Sequence, residues 1–411
     1  MTDTLLRPLP RSLDPLFDES IIGYLLRLAF RLGISPQRLA TLTGLAAGHH
    51  RRSLAAFALA SHVAPAGQRA FAHATRLTSA ETANLFLSVF GERYASTAAP
   101  TTTRWTSLNP HESWLFTRST RYCPECLAGT GTEIERLFGG PWRKTWRLPV
   151  VFACIPHRRL LEHQCPACQQ PVQEQRSTAV LRWNDASLHP LRCRFLTRSN
   201  PSDPTTVCEH WLPDQPPPAV ALSSPLLDLQ HRFLTALDPA HTRKAESLGT
   251  PTTSRHYFKD VQLISYLIRA TWPLAHDFVP NEPLATTLDT YIREQQEKAL
   301  RSAKKRLSTA RGFKVTHKAP PLQASVTAAL LATADQLLRL NSPRDLVRTF
   351  EQLIASDRPR PDQPLWQNPA LPRTQLGCTE GLLDALRSIA QIQIRSLAGR
   401  RTTTGRGRWT R

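Results

Sequence analysis

Residues 121–127 read RYCPECL, and residues 145–168 read TWRLPVVFACIPHRRLLEHQCPAC. Two ligand residues separated by two others share one tight turn, so both can reach the same tetrahedral ion. Three such pairs follow one another: Cys123 with Cys126, Cys154 with His157, and Cys165 with Cys168. Zinc accepts soft thiolates together with an imidazole, so Cys123, Cys126, Cys154 and His157 make a complete Cys3His set. Four protein ligands leave no position for water, and the expected site is structural rather than hydrolytic. Cys165 and Cys168 need two more ligands. Cys193 and Cys208 are the nearest cysteines left, with His189 and His210 as alternatives. The expected cofactor is therefore zinc, as two structural ions. An iron-sulfur cluster would suit four thiolates, but His157 disfavours it.

Outward from this stretch, the 411 residues exceed one ordinary core and suffice for two or three. The opening MTDTLLRPLPRSLDPLFDE carries acids and prolines where a signal peptide needs a basic and then an apolar stretch. No apolar run is long enough to span a bilayer. The expectation is a bacterial cytoplasmic protein with no membrane partner. There, eight cysteines are metal ligands before they are disulfides. Lys and Arg number 52 against 32 Asp and Glu, a formal charge of +20 that attracts a polyanion and releases its counterions on contact. Double-stranded DNA is the expected partner.

Upstream, DESIIGYLLRLAFRLGISPQRLATLTGL (residues 18–45) spaces Ile21, Ile22, Leu25, Leu26, Leu28, Ala29 and Leu32 as one helical face. Asp18 or Ser20 caps it, Gly33 breaks it, and Ser35 with Pro36 opens a second helix carrying Leu39, Leu42 and Leu45. A helix-turn-helix reader of this form would offer Gln37, Arg38 and Thr41 to DNA. Residues 53–94 read as further helices, one of them opened by Ser79 with Glu81 in its first turn. His49, His50, His62 and His73 occupy helical territory without partnered spacing and read as surface or core residues. Residues 96–110 form a Thr- and Pro-rich joint.

Downstream, seven prolines between 201 and 225 predict a stiff connection. Residues 226–237, 256–272 and 325–340 return to helical periodicity. Between the last two, residues 293–318 carry nine Lys or Arg against two Glu, including Lys304, Lys305 and Arg306, and suit a phosphate-tracking surface as well as a solvated helix face. Cys378 stands alone as a core residue. The tail RRTTTGRGRWTR has five Arg and no acid and is expected to be disordered when free. The fold class expected is mainly α: an N-terminal helix-turn-helix-like domain (1–110), a tandem zinc-binding, zinc-ribbon-like module (111–212), a proline-rich linker (213–225), a C-terminal helical domain (226–399) and a basic tail (400–411). No phosphate-cradling GxxxxGK[ST] loop, no Gly-x-Ser-x-Gly elbow and no clustered acids are present, so no catalytic residue is expected.

Two stretches resemble the TniQ/TnsD family of transposon targeting proteins. LPRSLDPLFDESIIGYLLRLAFRLGIS is similar to that family's opening, and the zinc segment resembles its Cys-Pro-x-Cys-Leu, Trp-x-Leu, Cys-x-x-His and Cys-Pro-x-Cys order. Together they cover about residues 8–172. The stretch after Cys193 departs from the closely spaced second cysteine pair of that pattern. The resemblance implies a noncatalytic adaptor that selects a target and delivers it to an AAA+ ATPase, which recruits the transposase. Some relatives read an attachment site on DNA, and others sit as a homodimer on a CRISPR RNA-guided complex. A zinc-ribbon DNA-binding transcription regulator is the alternative, and a zinc enzyme, which would keep a water ligand, is the second rival.

Overall fold

The computed structural model describes residues 7–45, 63–94, 114, 117, 119–173, 186–197, 206–216, 221–242, 244–306, 319–355 and 377–404. The protein is mainly helical, with three two-stranded antiparallel ribbons among the described residues. Its chain divides into two compact units. The first takes the described residues up to Glu92, those from 114 to Pro239, and Pro320–Thr327; the second takes Arg93 and Tyr94, Ala240–Ala319 and Ala328 onward. The joint at 96–110 and His49, His50 and His62 lie outside the described residues.

In the first unit, α1 (Ile21–Leu32) is capped by Ser20, whose hydroxyl accepts from Gly23 N at 3.1 Å, while Gly33 closes the helix at φ +62. Every residue of α1 from Ile21 to Ala29 is buried, so this helix lies inside the core rather than on its surface. It packs hard against Trp142: a Cβ on Gly23 would stand 2.8 Å from the Trp142 Cβ. Burial reaches even Arg27, which pairs with Glu19 at 2.7 Å with both side chains wholly inaccessible. Helix α2 (Pro36–Leu42) opens with Ser35 as cap and proline in its first turn. Next come α3 (Pro65–Thr75) and α4 (Ser79–Asn84). The cap of α4 is Thr78 and not the expected Ser79: Thr78 Oγ1 accepts from Glu81 N at 3.1 Å, and the Glu81 carboxylate accepts from Thr78 N at 2.7 Å. Glu81 stands third after its cap, the spacing of a capping box, so it selects Thr78.

The centre of this unit is built from short pieces. They are α5 (Pro124–Ala128), α6 (Glu133–Phe138), the hairpin of β1 (Ala153–Cys154) with β2 (Arg159–Leu160), and the ribbon of β3 (Leu196–Thr197) with β4 (Thr206–Val207). Elements this short cannot bury a core by themselves and need an added constraint. After the proline-rich segment, α7 (Ser224–Leu237) rejoins the same unit: the Gln230 side chain accepts from Phe152 N at 2.7 Å and Ala153 N at 2.9 Å.

The second unit begins with the hairpin of β5 (Ala245–Ser247) and β6 (Thr250–Thr252), then α8 (Ser254–Ala270) and α9 (Glu282–Arg306). It continues through α10 (Ala324–Leu338), whose residues to Thr327 belong to the first unit, then α11 (Pro343–Ala355) and α12 (Glu380–Thr404). Buried Asp260 on α8 accepts from Ser247 Oγ at 2.6 Å and from Thr379 N and Oγ1 at 2.9 and 2.7 Å, pinning the hairpin and the start of α12. Cys378 is buried beside it. Helix α12 continues through residues 400–404, where disorder was expected, because extending a formed helix adds one bond per residue fixed. Residues 405–411 lie outside the described ones.

Candidate metal centres

Cys123 caps α5 and Cys126 lies one turn into it, so the Pro124 start of that short helix fixes their separation. Cys154 ends β1, and His157 sits on the turn into β2. The knuckle and the hairpin are joined edge to edge: Tyr122 and Glu162 exchange two backbone bonds at 2.8 Å each. As a result Cys126 Sγ lies 3.5 Å from Cys154 Sγ, and His157 Nδ1 lies 3.4, 3.3 and 3.3 Å from the sulfurs of Cys123, Cys126 and Cys154. A disulfide would need about 2.05 Å. Metal–sulfur bonds of about 2.3 Å and metal–nitrogen bonds of about 2.0 Å give tetrahedral edges of about 3.5–3.8 Å. The four ligand atoms therefore have nearly the spacing of an ion's coordination shell. Hydrogen bonds from the Cys123 and Cys126 thiols pull the Cys154 thiol down, while hydrogen bonds with Cys123 and Cys154 push Cys126 up.

The surroundings of this cluster are equally fixed. Glu125 Oε2 lies 3.1 Å from Cys123 Sγ, and Arg159 binds Glu125 at 2.8 Å and Glu162 at 3.1 Å. Gly140 lies against the knuckle: a Cβ there would stand 2.1 Å from the Cys126 carbonyl oxygen. Arg121, two residues before Cys123, is fully buried and donates to Val151 O (2.5 Å), Pro321 O (2.9 Å), Leu322 O (3.0 Å) and Thr327 Oγ1 (2.7 Å). Burial pushes its guanidinium down to about 9.

The second group is Cys165, Cys168, Cys193 and Cys208, whose sulfurs all lie within 4.8 Å of one another. Cys165 to Cys208 and Cys168 to Cys193 are each 3.8 Å. Cys165 and Cys168 share a turn closed by Gln169 N to Cys165 O at 2.9 Å and Cys165 N to Gln170 O at 2.9 Å. The widely separated Cys193 and Cys208 meet because they flank the β3–β4 ribbon on opposite strands, with Cys208 N bonded to Phe195 O and Glu209 N to Cys193 O, both at 3.0 Å. A hairpin thus does the work of a two-residue gap. His189 and His210 stand outside this group. His189 Nδ1 accepts from Leu191 N at 3.2 Å, and its ring lies between Phe30 and Trp211. Cys168 and Cys208 are half-exposed, whereas Cys123, Cys126 and Cys154 are buried.

Of the residues expected to meet DNA, Arg38 and Thr41 are exposed on α2 and Gln37 is half-buried. Lys304, Lys305 and Arg306 end α9, while the rest of that basic run, 307–318, lies outside the described residues. Earlier on α9, acids one turn away pair with the basic residues, Arg293 with Asp289 at 3.0 Å and Lys298 with Glu294 at 3.7 Å. Spacing alone did not reveal Arg121, Arg159 or Gly140. The consecutive glycines 139 and 140 were the available signal.

The TniQ family model matches residues 10–161. The chain carries a TniQ domain. That domain spans α1, α2 and the whole first cluster, and it ends before Cys165. TniQ domains belong to noncatalytic adaptors that select targets in DNA transposition. No curated protein and no solved structure matches the chain. Among the described residues, no helix is long and apolar enough to cross a membrane.

Proposed function

We propose that this protein is a target-selection adaptor of a bacterial transposon, working in the cytoplasm. It holds target DNA, or an RNA-guided complex, on one side and an AAA+ ATPase that recruits the transposase on the other. The observation that carries this reading is the TniQ domain over residues 10–161, which contains the buried helix α1 and the complete first cluster. Both clusters would hold zinc. With four protein ligands each, the ions supply folding energy and leave no open position for a substrate. The surface they stabilise is rigid, which suits a part that must present preorganised contacts to two partners.

DNA contact is assigned to Arg38, Thr41 and Gln37 on α2 and to the basic end of α9, including Lys304, Lys305 and Arg306. The charge of +20 supports it, because each phosphate neutralised releases counterions. Affinity for duplex DNA is expected to fall steeply with salt, and neutralising Lys304, Lys305 and Arg306 together lowers it for all sequences alike. A reconstituted reaction with the matching ATPase and transposase tests the whole reading. Omitting this chain leaves integration absent or random, while the transposase still joins prepared ends. Unchanged target choice without it would overturn the adaptor role in favour of a zinc-ribbon transcription regulator.

A further inference from the structure

The second cysteine group pairs accessible sulfurs with protected ones. Cys168 and Cys208 are half-exposed, whereas Cys165 and Cys193 are buried. Each half-exposed sulfur has a buried one 3.8 Å away, Cys168 beside Cys193 and Cys208 beside Cys165. A peroxide reacts with a thiolate it can reach, and the sulfenic acid that results is spared irreversible oxidation where a second thiol stands close enough to condense with it. Distance alone does not select this group, because Cys126 Sγ and Cys154 Sγ of the first cluster are closer still, at 3.5 Å. Access decides. Cys123, Cys126, Cys154 and Cys378 are all buried, and the exposed member of the first cluster is His157, which has no sulfur. Of the eight cysteines, Cys168 and Cys208 are therefore the two that solvent reaches.

The backbone holds both halves of the group in place. On one side Gln169 N and Cys165 N close the turn onto Cys165 O and Gln170 O, each at 2.9 Å. On the other, Cys193 N bonds His210 O at 2.8 Å beside the two ribbon bonds of Cys208 N and Glu209 N. Tyr122 ties the halves together outside the sulfurs: its hydroxyl donates to Gln164 O at 2.9 Å and accepts from Gln215 Nε2 at 2.5 Å. Both sulfur pairs run from the turn to the ribbon. Closing each from 3.8 Å to the length of a disulfide, about 2.05 Å, moves a sulfur by under about 1 Å and leaves the same two parts joined.

We propose that Cys168 with Cys193, and Cys208 with Cys165, form an oxidative modification site for small peroxides, at which two disulfides replace the metal staple. The Cys168 thiolate attacks one oxygen of hydrogen peroxide. The O–O bond breaks, Cys168 becomes a sulfenic acid, and the departing hydroxide takes a proton to become water. The Cys193 thiolate then attacks the Cys168 sulfur, so that an S–S bond forms as the S–O bond breaks, and the second oxygen also leaves as water once protonated. Two thiolates thus give two electrons to one peroxide, and two protons are taken up. Cys208 and Cys165 repeat the sequence with a second peroxide. No thiolate remains there to ligate an ion, and one Zn2+ per chain is released. The proposal rests on the assignment of zinc to this group and adds that its ion, unlike the buried one, is held only under reducing conditions.

The full, zinc-loaded chain treated with hydrogen peroxide supplies the test. Released zinc is followed with a chelating dye, the remaining thiols are alkylated after unfolding, and disulfides are mapped by peptide mass spectrometry. One of the two ions is expected to leave at least about tenfold faster than the other, because access sets the rate of thiol oxidation. The mapped bonds are expected to be Cys168–Cys193 and Cys165–Cys208, with Cys123, Cys126 and Cys154 still open to alkylation and the thermal transition of the first unit retained. A dithiol reductant with added zinc restores the second ion. Release of both ions at one rate, release of neither, a disulfide through Cys123, Cys126 or Cys154, another pairing within the group, or a sulfinic acid at Cys168 in place of a disulfide would overturn the site. Zinc counted before peroxide is added reads the loading separately. Fewer than two ions there tells against the metal assignment, while the disulfides, mapped as before, still decide the modification site.

Discussion

The two cysteine groups use the same chemistry in different settings. The first joins a helix knuckle to a hairpin, is buried in three of its four members, and is enclosed by Tyr122, Glu162, Arg159, Gly140 and the Arg121 clamp. The second spans a ribbon of two-residue strands, has two half-exposed members, and lies beyond the TniQ domain. An ion at the first site therefore organises a core, whereas one at the second staples an appendage. Coordination that substitutes for missing apolar burial matters most where other packing depends on it.

The largest expected effect separates the two groups directly. Cys154→Ser removes a ligand from the first site, where structural zinc is worth about 10 kcal/mol or more in finger peptides, and the first unit is expected to lose its cooperative thermal transition by circular dichroism. Cys208→Ser should lose one ion per chain by elemental analysis and keep that transition. Equal collapse in both variants would abolish the distinction.

Next in size is the ion pair beneath the TniQ opening. Glu19→Ala strands Arg27 without its partner inside the core, and removing one member of a buried pair costs about 3–5 kcal/mol. Chemical denaturation checks this value, and a loss below about 1 kcal/mol would mean that the pair is solvated in solution.

These two cases also mark what the sequence reveals. The Cys123, Cys126, Cys154 and His157 set and the Cys165–Cys168 pair follow from spacing, because a two-residue gap fixes local geometry whatever surrounds it. Ser20, Gly33 and the Ser35–Pro36 start are legible for the same reason, since capping is a property of a few adjacent residues. Contacts across long stretches are not. Cys193 and Cys208 needed the β3–β4 ribbon to meet, Arg121 finds its acceptors about 200 positions away, and Gln230 ties α7 to β1 across the proline-rich segment. Helix α1 reads as amphipathic with a polar face, yet that face is buried too, because Glu19 neutralises Arg27. Nor does a lone Phe in a Pro–Leu–Phe–Asp run announce that it will point into solvent.

A smaller effect sharpens the account of the first site. Gly140→Ala brings a methyl group to within 2.1 Å of the Cys126 carbonyl and displaces the knuckle, a strain of about 1–3 kcal/mol of the kind overpacking produces. Gly131 has open space around it, so Gly131→Ala meets only the penalty of its positive φ, about 1 kcal/mol. Cobalt d–d bands are expected to shift in the first variant and stay in place in the second.

The smallest effect belongs beside the second site. Burial, together with Arg192 and Arg194, lowers His189 to about 4, against about 6.5 in an unfolded chain. Between those values the unfolded chain binds a proton that the folded one does not, so this histidine's contribution to stability falls as pH drops from about 6.5 to 4 and levels off below. His189→Phe should show a shallower loss over that window than the unmodified chain at matched pH, and identical slopes would remove His189 as the cause.

X-ray absorption at the zinc edge on the purified, zinc-loaded full chain tests the central claim most directly, since two closed sites with seven thiolates and one imidazole fix the average shell in advance. The account predicts two zinc ions per chain, with sulfur at about 2.3 Å dominating, a minor nitrogen contribution at about 2.0 Å and four ligands per ion. One ion per chain, or an oxygen ligand from water in the first shell, would contradict it.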